Sequence, residues 1–244
     1  VCRWMASRRN RDRLFLVGKG GHPYPLVRPN RLGAGELSAD LDGSLRRLGT
    51  DRFDLYLLHR DHPAAPLEPM VETLAAGLRA GKLLGWGVSN WTVPRIEAIQ
   101  VLAWQATLPA MAASSPHFSI VDWVQPPWRG SVSIAGPANR DARAFHARTG
   151  LHVLAWAPLG AGFLTSDRTD GTYGSPANVA RRERVRRLAD ARGCSPAQLA
   201  LGYCFSHPFP VSAVVASSSA QKMRENLAAA TMRLSAAEVE ALEG

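Results

Sequence analysis

The sequence predicts an α/β protein of the (β/α)8 TIM-barrel type, on three observations. Short runs of β-branched and aromatic residues alternate with segments of helical hydrophobic spacing, which is typical of parallel βα units. Polar residues follow these runs at their carboxyl ends, where a barrel places its active site. The length of 244 residues suits one large core. We therefore expect a single domain over residues 1–244.

Six runs are predicted as strands because each is short, apolar and followed by polar or turn-forming residues. They cover residues 14–19, 53–59, 84–89, 109–114, 152–158 and 212–217. A complete barrel has eight strands. The chain, which begins with Val1 rather than Met, therefore looks like a barrel truncated at its N-terminus, with about six of eight strands present.

Three of the intervening helices have predictable ends. The segment 38–49 is expected to start at Ser38 as N-cap and to stop at Gly49. The segment 68–82 is expected to stop at Gly81. A third helix is predicted from Ser195 as cap and Pro196 at the first helical position, where the missing N–H costs nothing.

The formal net charge of +9 does not by itself indicate a nucleic-acid partner. The cations are mostly arginines, spread along a chain rich in alanine, glycine and proline. Their densest run, residues 181–193, has Val185, Leu188 and Ala189 at helical spacing. Its arginines are therefore expected on the wet face of an amphipathic helix, and we expect no DNA or RNA partner.

The three cysteines, Cys2, Cys194 and Cys204, indicate neither a disulfide framework nor a zinc site, because they are odd in number and lack C-x-x-C spacing. No apolar stretch approaches the roughly 20 residues that cross a bilayer, and the first residues lack the apolar core of a signal peptide. We expect a cytoplasmic protein without a membrane partner.

Two strand ends carry residues suited to acid–base chemistry. Lys19 and His59 each end a predicted strand, and in a barrel those ends meet at one mouth. A lysine partly inside that mouth would stabilise developing negative charge. His59 as a satisfied rim residue remains the structural alternative. His62 lies in a loop without carboxylate or cysteine partners at ligand spacing, so no metal site is expected.

Several segments in order resemble one family. The stretches FLVGKGGHP, SLRRLGTDRFDLYLLHRDHP, LRAGKLLGWGVSNW, LAWAPLGAGFLT and VVASSSAQKMRENL are similar to successive landmarks of the aldo-keto reductases, which are NADPH-dependent barrel enzymes. The similarity runs from near Arg11 to the last residue. No G-x-G-x-x-G follows a predicted strand, which counts against a Rossmann site.

The resemblance implies a catalytic tetrad of Asp, Tyr, Lys and His that reduces a small carbonyl compound to an alcohol. It assigns the lysine to Lys19 and the histidine to His59. The family's Asp and Tyr belong to a segment upstream of the lysine strand, and no such segment occurs in this sequence. Among the four tyrosines, Tyr24 is the one placed near the mouth, and it is a poor substitute for the missing proton donor.

The resemblance also assigns a site for NADPH (NADP). Ser89 and Asn90 match the pair that binds the nicotinamide carboxamide, and Trp156 matches the aromatic residue that stacks on the nicotinamide ring, with a core tryptophan as the structural alternative. Ser115 stands where the family usually has a Gln. The loop that covers the pyrophosphate is matched by Ala157, Pro158, Leu159 and Gly160.

The last motif bears on cofactor choice. Small hydroxyl residues lead from a predicted strand into a helix N-terminus. The free N–H groups and the dipole of a helix N-terminus favour binding of an anion. A solvated serine-rich cap is the alternative. Lys222 falls where the family often faces the 2′-phosphate, and Glu225 and Asn226 match the adenine pair, so NADPH is expected over NADH. The strand-to-helix residues are Ala216, Ser217, Ser218 and Ser219.

The segment 121–137 is rich in tryptophan and proline and is too irregular for a helix. Loops at a barrel mouth set specificity. Trp123 and Trp128 are therefore candidates for a substrate wall, although they would equally suit packing anchors of a stiff surface loop.

Three functions remain open from the sequence. The first is an NADPH-dependent reductase that is active at full length. The second is a nicotinamide-binding barrel without catalysis that serves as a regulatory or interaction subunit. The third is a phosphate-ligand barrel in which Lys19 forms a Schiff base, which the GVSNW and SSSAQKMREN stretches disfavour.

Overall fold

Strands alternate with helices along the chain in this computed structural model, which describes residues 1–24, 30–167 and 171–244. Contacts divide the chain into two compact units, Val1–Ser114 and Ser115–Gly244. The described strands are β1 (Val17–Gly20), β2 (Leu55–Leu58), β3 (Trp86–Ser89), β4 (Ala113–Ser115), β5 (His152–Trp156) and β6 (Val211–Val214). Each predicted strand is present but shorter than its apolar run, and the predicted α/β class is confirmed.

The described helices follow the strands in the predicted alternation. Their bounds are α1 (Cys2–Arg8), α2 (Ala34–Leu48), α3 (Glu68–Arg79), α4 (Val93–Gln105), α5 (Arg140–Thr149), α6 (Pro176–Ala191), α7 (Pro196–Phe205), α8 (Ala220–Ala228) and α9 (Ala236–Glu243). Between β4 and α5 the described chain has a single short 3-10 turn, Pro137–Asn139. The irregular segment predicted at 121–137 is confirmed.

In the first unit, β1 pairs with β2 and β2 with β3, all in parallel. The middle strands β2 and β3 are buried along their whole length, whereas β1 alternates between exposed and buried residues. The Ala112 N–H donates to the Trp86 carbonyl at 2.9 Å, which places the start of β4 beside β3. Parallel pairing brings the carboxyl ends of β1, β2 and β3 to one edge.

The expected N-cap at Ser38 is wrong, because the N-cap is Gly33, five residues earlier, and α2 begins at Ala34. Gly33 has extended backbone angles, and its carbonyl accepts the Leu37 N–H at 3.0 Å, which is the first hydrogen bond of the helix. Leu37 is also the first buried residue of α2. The predicted stop is confirmed, since Gly49 has a φ of 62° and caps the last turn.

In the second unit, β5 pairs in parallel with β6. Helices α6, α7 and α9 pack around a core that contains Phe118, Val153, Val185 and Tyr203. The predicted cap of α7 is confirmed: Ser195 and Gln198 form a reciprocal capping box with Pro196 at the first position.

The arginine-rich run lies in α6, with Val185 and Ala189 buried as predicted. The expectation that its arginines form only a wet face is wrong for several of them. Arg184 donates to the carbonyls of Leu242 and Glu243 at the end of α9. The Arg182 side chain is buried, and its guanidinium lies 4.7 Å from the centroid of a neighbouring phenylalanine ring. Long arginine stems cover apolar surface while their charged ends reach carbonyl groups.

Candidate functional site

Lys19 lies on β1, one residue before the strand ends, and its Nζ lies 3.4 Å from the Ser89 Oγ at the end of β3. Ser89 is fully buried and Asn90 nearly so. The Asn90 side-chain amide donates to the same Oγ at 3.1 Å. Asn90 also adopts a left-handed φ of 58°, a strained conformation that clusters at functional sites. The sequence-predicted residues of β1 and β3 are therefore in contact.

His59 follows β2, and its backbone N–H donates to the Gly20 carbonyl at 2.8 Å. Its ring stands edge-on to the His22 ring, with centroids 4.6 Å apart. Burial, followed by the charges of Lys19, His22 and Arg60, lowers the pKa of His59 to about 4. His59 is therefore neutral at pH 7 and able to donate one ring N–H.

Lys19 shares this electrostatic environment. Burial, followed by the Arg60 charge, lowers the pKa of Lys19 from its ordinary value of 10.5. Lys19, His22, His59 and Arg60 thus form a basic cluster at the carboxyl ends of β1 and β2. Such a cluster attracts an oxygen on which negative charge develops.

An ion pair that the sequence did not predict fixes the loop after His59. The Arg95 guanidinium donates through Nε and Nη2 to both carboxylate oxygens of Asp61, at 3.0 to 3.2 Å. It also donates to the Ala65 carbonyl at 3.1 Å and lies over the Trp91 ring at 5.3 Å. The loop from β2 is thereby tied to the start of α4, and nothing in the local sequence pattern indicates this pairing.

The tyrosines of the first unit lie apart from these contacts. Tyr24 is 55% exposed, with the Arg31 guanidinium 4.7 Å from its ring centroid. Tyr56 is buried below Gly20 and beside Asp40, and burial raises the pKa of its hydroxyl above the ordinary value. Among the described residues of this unit, neither hydroxyl forms a hydrogen bond with Lys19.

A cavity of about 520 Å³ opens in the second unit. The loop after β5 lines one side with residues 157–159, and the segment from β6 into α8 lines another. The sequence-predicted residues contributed by that segment are Ala216, Ser217, Lys222, Glu225 and Asn226. The cavity is also lined by residues 195–197 at the start of α7, which the sequence did not predict. Trp156, Gly160, Ser218 and Ser219 are predicted residues outside its lining.

The N-terminus of α8 is ordered by its own serines. Ser219 is the N-cap, and its Oγ accepts the Lys222 N–H at 3.3 Å. Ser217 Oγ accepts the Ser219 N–H at 3.0 Å. Asn226, one turn further, is 9% exposed, and its side chain has no hydrogen-bond partner among the described residues. An amide with unmet hydrogen-bonding capacity at a cavity wall suits a polar ligand.

The loop after β5 has a strained backbone where it lines the cavity. Ala157 and Ala161 have left-handed φ values of 49° and 51°, which non-glycine residues rarely adopt. Gly160 has a φ of 59°, and a Cβ there would lie 2.7 Å from the Val121 side chain. The turn therefore requires glycine at 160 and holds two alanines under strain.

Aromatic rings surround Trp156 at the end of β5. Trp123 and Trp128 lie with ring centroids 5.7 and 5.8 Å from Trp156, and we call these three residues the tryptophan cluster. Trp128 is 59% exposed. His117 stacks on Trp123 at 4.7 Å and is fully buried. Sequence reasoning missed His117, because a lone histidine after a strand carries no distinguishing pattern.

Ser115, expected to replace a cofactor-binding Gln, is fully buried. Its Oγ donates to the Leu154 carbonyl at 2.8 Å, which ties β4 to β5. Among residues 1–24, 30–167 and 171–244, no group of three His, Cys, Asp or Glu side chains could hold a metal ion. None of the helices in those ranges has the length and apolarity of a membrane span.

Comparison with known proteins identifies relatives over most of this chain. A Schizosaccharomyces pombe protein, named as a beta subunit of voltage-gated potassium channels, is 26% identical over 208 residues, or 78% of this chain and 57% of the relative. A 6-dehydroglucose reductase of Novosphingobium aromaticivorans is 28% identical over 223 residues, covering 91% and 66%. The L-glyceraldehyde 3-phosphate reductase of Escherichia coli K12 is 24% identical over 242 residues, covering 90% and 65%. The chain thus spans 57–66% of the length of these curated relatives.

Fold and family agree. A crystal structure of the thermostable aldo-keto reductase Tm1743 with the inhibitor epalrestat matches with a TM-score of 0.73 and 24% identity, covering 96% of this chain and 72% of that one. This similarity shows the fold. The model of the aldo/keto reductase family matches residues 1–244. The chain therefore belongs to the aldo/keto reductase family.

Proposed function

We propose that the full-length protein is an NADP(H)-dependent oxidoreductase that reduces an aldehyde or ketone to an alcohol. Membership of the family supports the oxidoreductase class. The main support for the cofactor is the cavity of the second unit, where the loop after β5 and helix α8 line one space of about 520 Å³. When bound, a reduced nicotinamide supplies hydride.

The lining of this cavity fits a phosphorylated dinucleotide. The Lys222 side chain adds positive charge beside the N-terminus of α8, where the free N–H groups and the helix dipole favour an anion. The amide of Asn226, which has no hydrogen-bond partner in the described part of the chain, offers both a donor and an acceptor to a base. We propose that Lys222 binds the 2′-phosphate and that Glu225 and Asn226 bind the adenine.

We propose that the basic cluster of the first unit binds the carbonyl oxygen. Neutral His59 donates a ring N–H to that oxygen, and the ammonium of Lys19 stabilises the negative charge that develops there. Ser89 and Asn90 orient a carboxamide through side chains that already contact each other, with Ser89 also in contact with Lys19. We propose that a tyrosine hydroxyl donates the proton to that oxygen, as the resemblance to the family implies.

Calorimetric titration with NADPH and NADH tests the cofactor assignment. We expect NADPH to bind more tightly than NADH. Lys222→Ala should weaken NADPH binding about tenfold, which is about 1.4 kcal/mol, and leave NADH binding unchanged. Arg224→Ala is the matched control, since this exposed cation lies on the same helix but not in the cavity lining. Equal affinities for the two nucleotides, with no effect of Lys222→Ala, would contradict the assignment.

A second candidate is a nicotinamide-binding regulatory or interaction subunit without catalysis. Two observations favour it: neither tyrosine of the first unit contacts Lys19 among the described residues, and one relative is named as a channel beta subunit. Tight NADPH binding without turnover of any aldehyde or ketone by the full-length protein would support this candidate over the first.

A further inference from the structure

We propose that His117 is a positioning residue, whose two ring hydrogen bonds hold Trp123 and Trp156 in the orientation that the cofactor site uses. The link to the cofactor rests on the proposed function. The positioning itself is a property of the second unit alone, because every contact involved lies within residues 115–244.

Both nitrogens of the His117 ring are engaged. Nδ1 lies 2.9 Å from Ser133 Oγ, and Nε2 lies 3.1 Å from the Tyr173 hydroxyl. Each partner is a hydroxyl group, which both donates and accepts, so a neutral ring with one N–H satisfies both bonds. Burial lowers the pKa of His117 to about 3, which keeps the ring neutral at physiological pH.

The ring touches two members of the tryptophan cluster. It stacks on Trp123 at 4.7 Å with an interplanar angle of 22°, and it lies 5.0 Å from Trp156 at 59°. Hydrogen bonds at both ends of an imidazole prevent the ring from rotating about χ2. A fixed ring in turn restricts the two indoles that pack on it.

The backbone of His117 joins the same segments. Its N–H donates to the Val132 carbonyl at 2.8 Å, and its carbonyl accepts the Ile134 N–H at 2.9 Å. The flanking carbonyl of Pro116 accepts the Trp156 N–H at 3.2 Å. The irregular segment and the end of β5 thus meet at one residue, and the ring bonds add side-chain orientation to this backbone connection.

Packing alone does not account for these partners. A phenylalanine would fill the same buried space without the cost of burying two polar nitrogens. Instead, hydroxyls from positions 16 and 56 residues away converge on the ring. A fully satisfied buried network of this kind specifies one arrangement of its neighbours.

The test removes the hydrogen bonds and keeps the ring volume. His117→Phe removes both bonds, Tyr173→Phe removes the bond at Nε2, and Ser133→Ala removes the bond at Nδ1. His146→Phe is the matched control, because His146 is equally buried but contacts Phe145 and Phe209 rather than a tryptophan. Conservative Tyr173→Phe and Ser133→Ala keep the test valid if His117→Phe does not fold.

Two measurements are made on each variant. The near-ultraviolet circular dichroism of the ligand-free protein reports the relative orientation of the indoles, and calorimetry gives the NADPH dissociation constant. We expect His117→Phe, Tyr173→Phe and Ser133→Ala to change the tryptophan dichroism, and His117→Phe to weaken NADPH binding about tenfold, as for loss of about one hydrogen bond. The double variant His117→Phe/Tyr173→Phe should bind NADPH no more weakly than His117→Phe alone, because each substitution removes the same hydrogen bond at Nε2.

Dichroism and affinity like the wild type in all three variants, or an equal change in His146→Phe, would overturn the proposal. If the wild type does not bind NADPH, the proposed function fails, but the dichroism of the ligand-free variants still decides whether His117 positions the tryptophans. An unchanged NADPH affinity of His117→Phe together with an altered tryptophan dichroism would overturn the link to the cofactor.

Discussion

Replacing Lys19 should raise the pKa of His59, because the two residues are predicted to share one catalytic environment. In the structure the pKa of His59 falls from 6.5 to about 4, with burial as the largest cause and the Lys19 charge second. Burial is the larger cause, so Lys19 accounts for a smaller part of this decrease. Lys19→Met should therefore raise the pKa of His59 by about one unit or less, since a neighbouring cation disfavours the protonated ring.

Nuclear magnetic resonance titration of the histidine Cε1–H signals measures this pKa directly and requires no cofactor. Lys82→Met is the matched control, since Lys82 is a lysine of the same unit that pairs with Asp42 at 2.7 Å. Its His59 signal should titrate as in the wild type. An unchanged His59 pKa in Lys19→Met, or an equal rise in Lys82→Met, would refute the shared environment.

Three further predictions concern stability. Asp61→Asn should lower the free energy of unfolding by about 2 kcal/mol in urea titration, because it leaves the Arg95 guanidinium without its charged partner. Gly87→Ala should cost about 3 kcal/mol, since its Cβ would lie 2.2 Å from a β4 carbonyl oxygen, whereas Gly35→Ala has open space and should be neutral or stabilising. A fall from pH 7 to pH 4.5 should remove up to about 3 kcal/mol through His117, at about 1.4 kcal/mol for each of the two pH units below 6.5. Stability falls as the pH falls because the unfolded ring binds a proton below pH 6.5, whereas the folded ring does so only near pH 3. His117→Phe should lose this contribution to the pH dependence of stability. A stability independent of pH between 7 and 4.5 would contradict the last prediction.

Local patterns predicted the order of the elements and several helix ends. The capping box at Ser195 and the stop at Gly49 follow from interactions within a few residues of the chain. The start of α2 was wrong because a serine at position 38 resembles a cap, whereas Gly33 and the burial of Leu37 fix the actual start. Burial of Leu37 is a tertiary contact that the local sequence does not encode.

The residues of the candidate site were likewise predicted only in part. The motif around Lys222 and Asn226 was predicted in sequence order, and the structure brings both residues to one cavity wall. The start of α7 at the same cavity was missed, because its residues are adjacent only in the folded unit. Assignment of individual site residues, and the single domain over residues 1–244, remain predictions.

By itself the sequence determined the alternation of strands and helices, and its motifs resembled the family that comparison then established. Hydrophobic period and caps act over a few residues, so they can be read from the chain. Only the tertiary structure revealed the Asp61–Arg95 ion pair and the bonds of His117 to Ser133 and Tyr173. Partners 16 to 56 residues apart meet through folding, and a buried polar group finds its partner by position in space rather than by spacing in sequence.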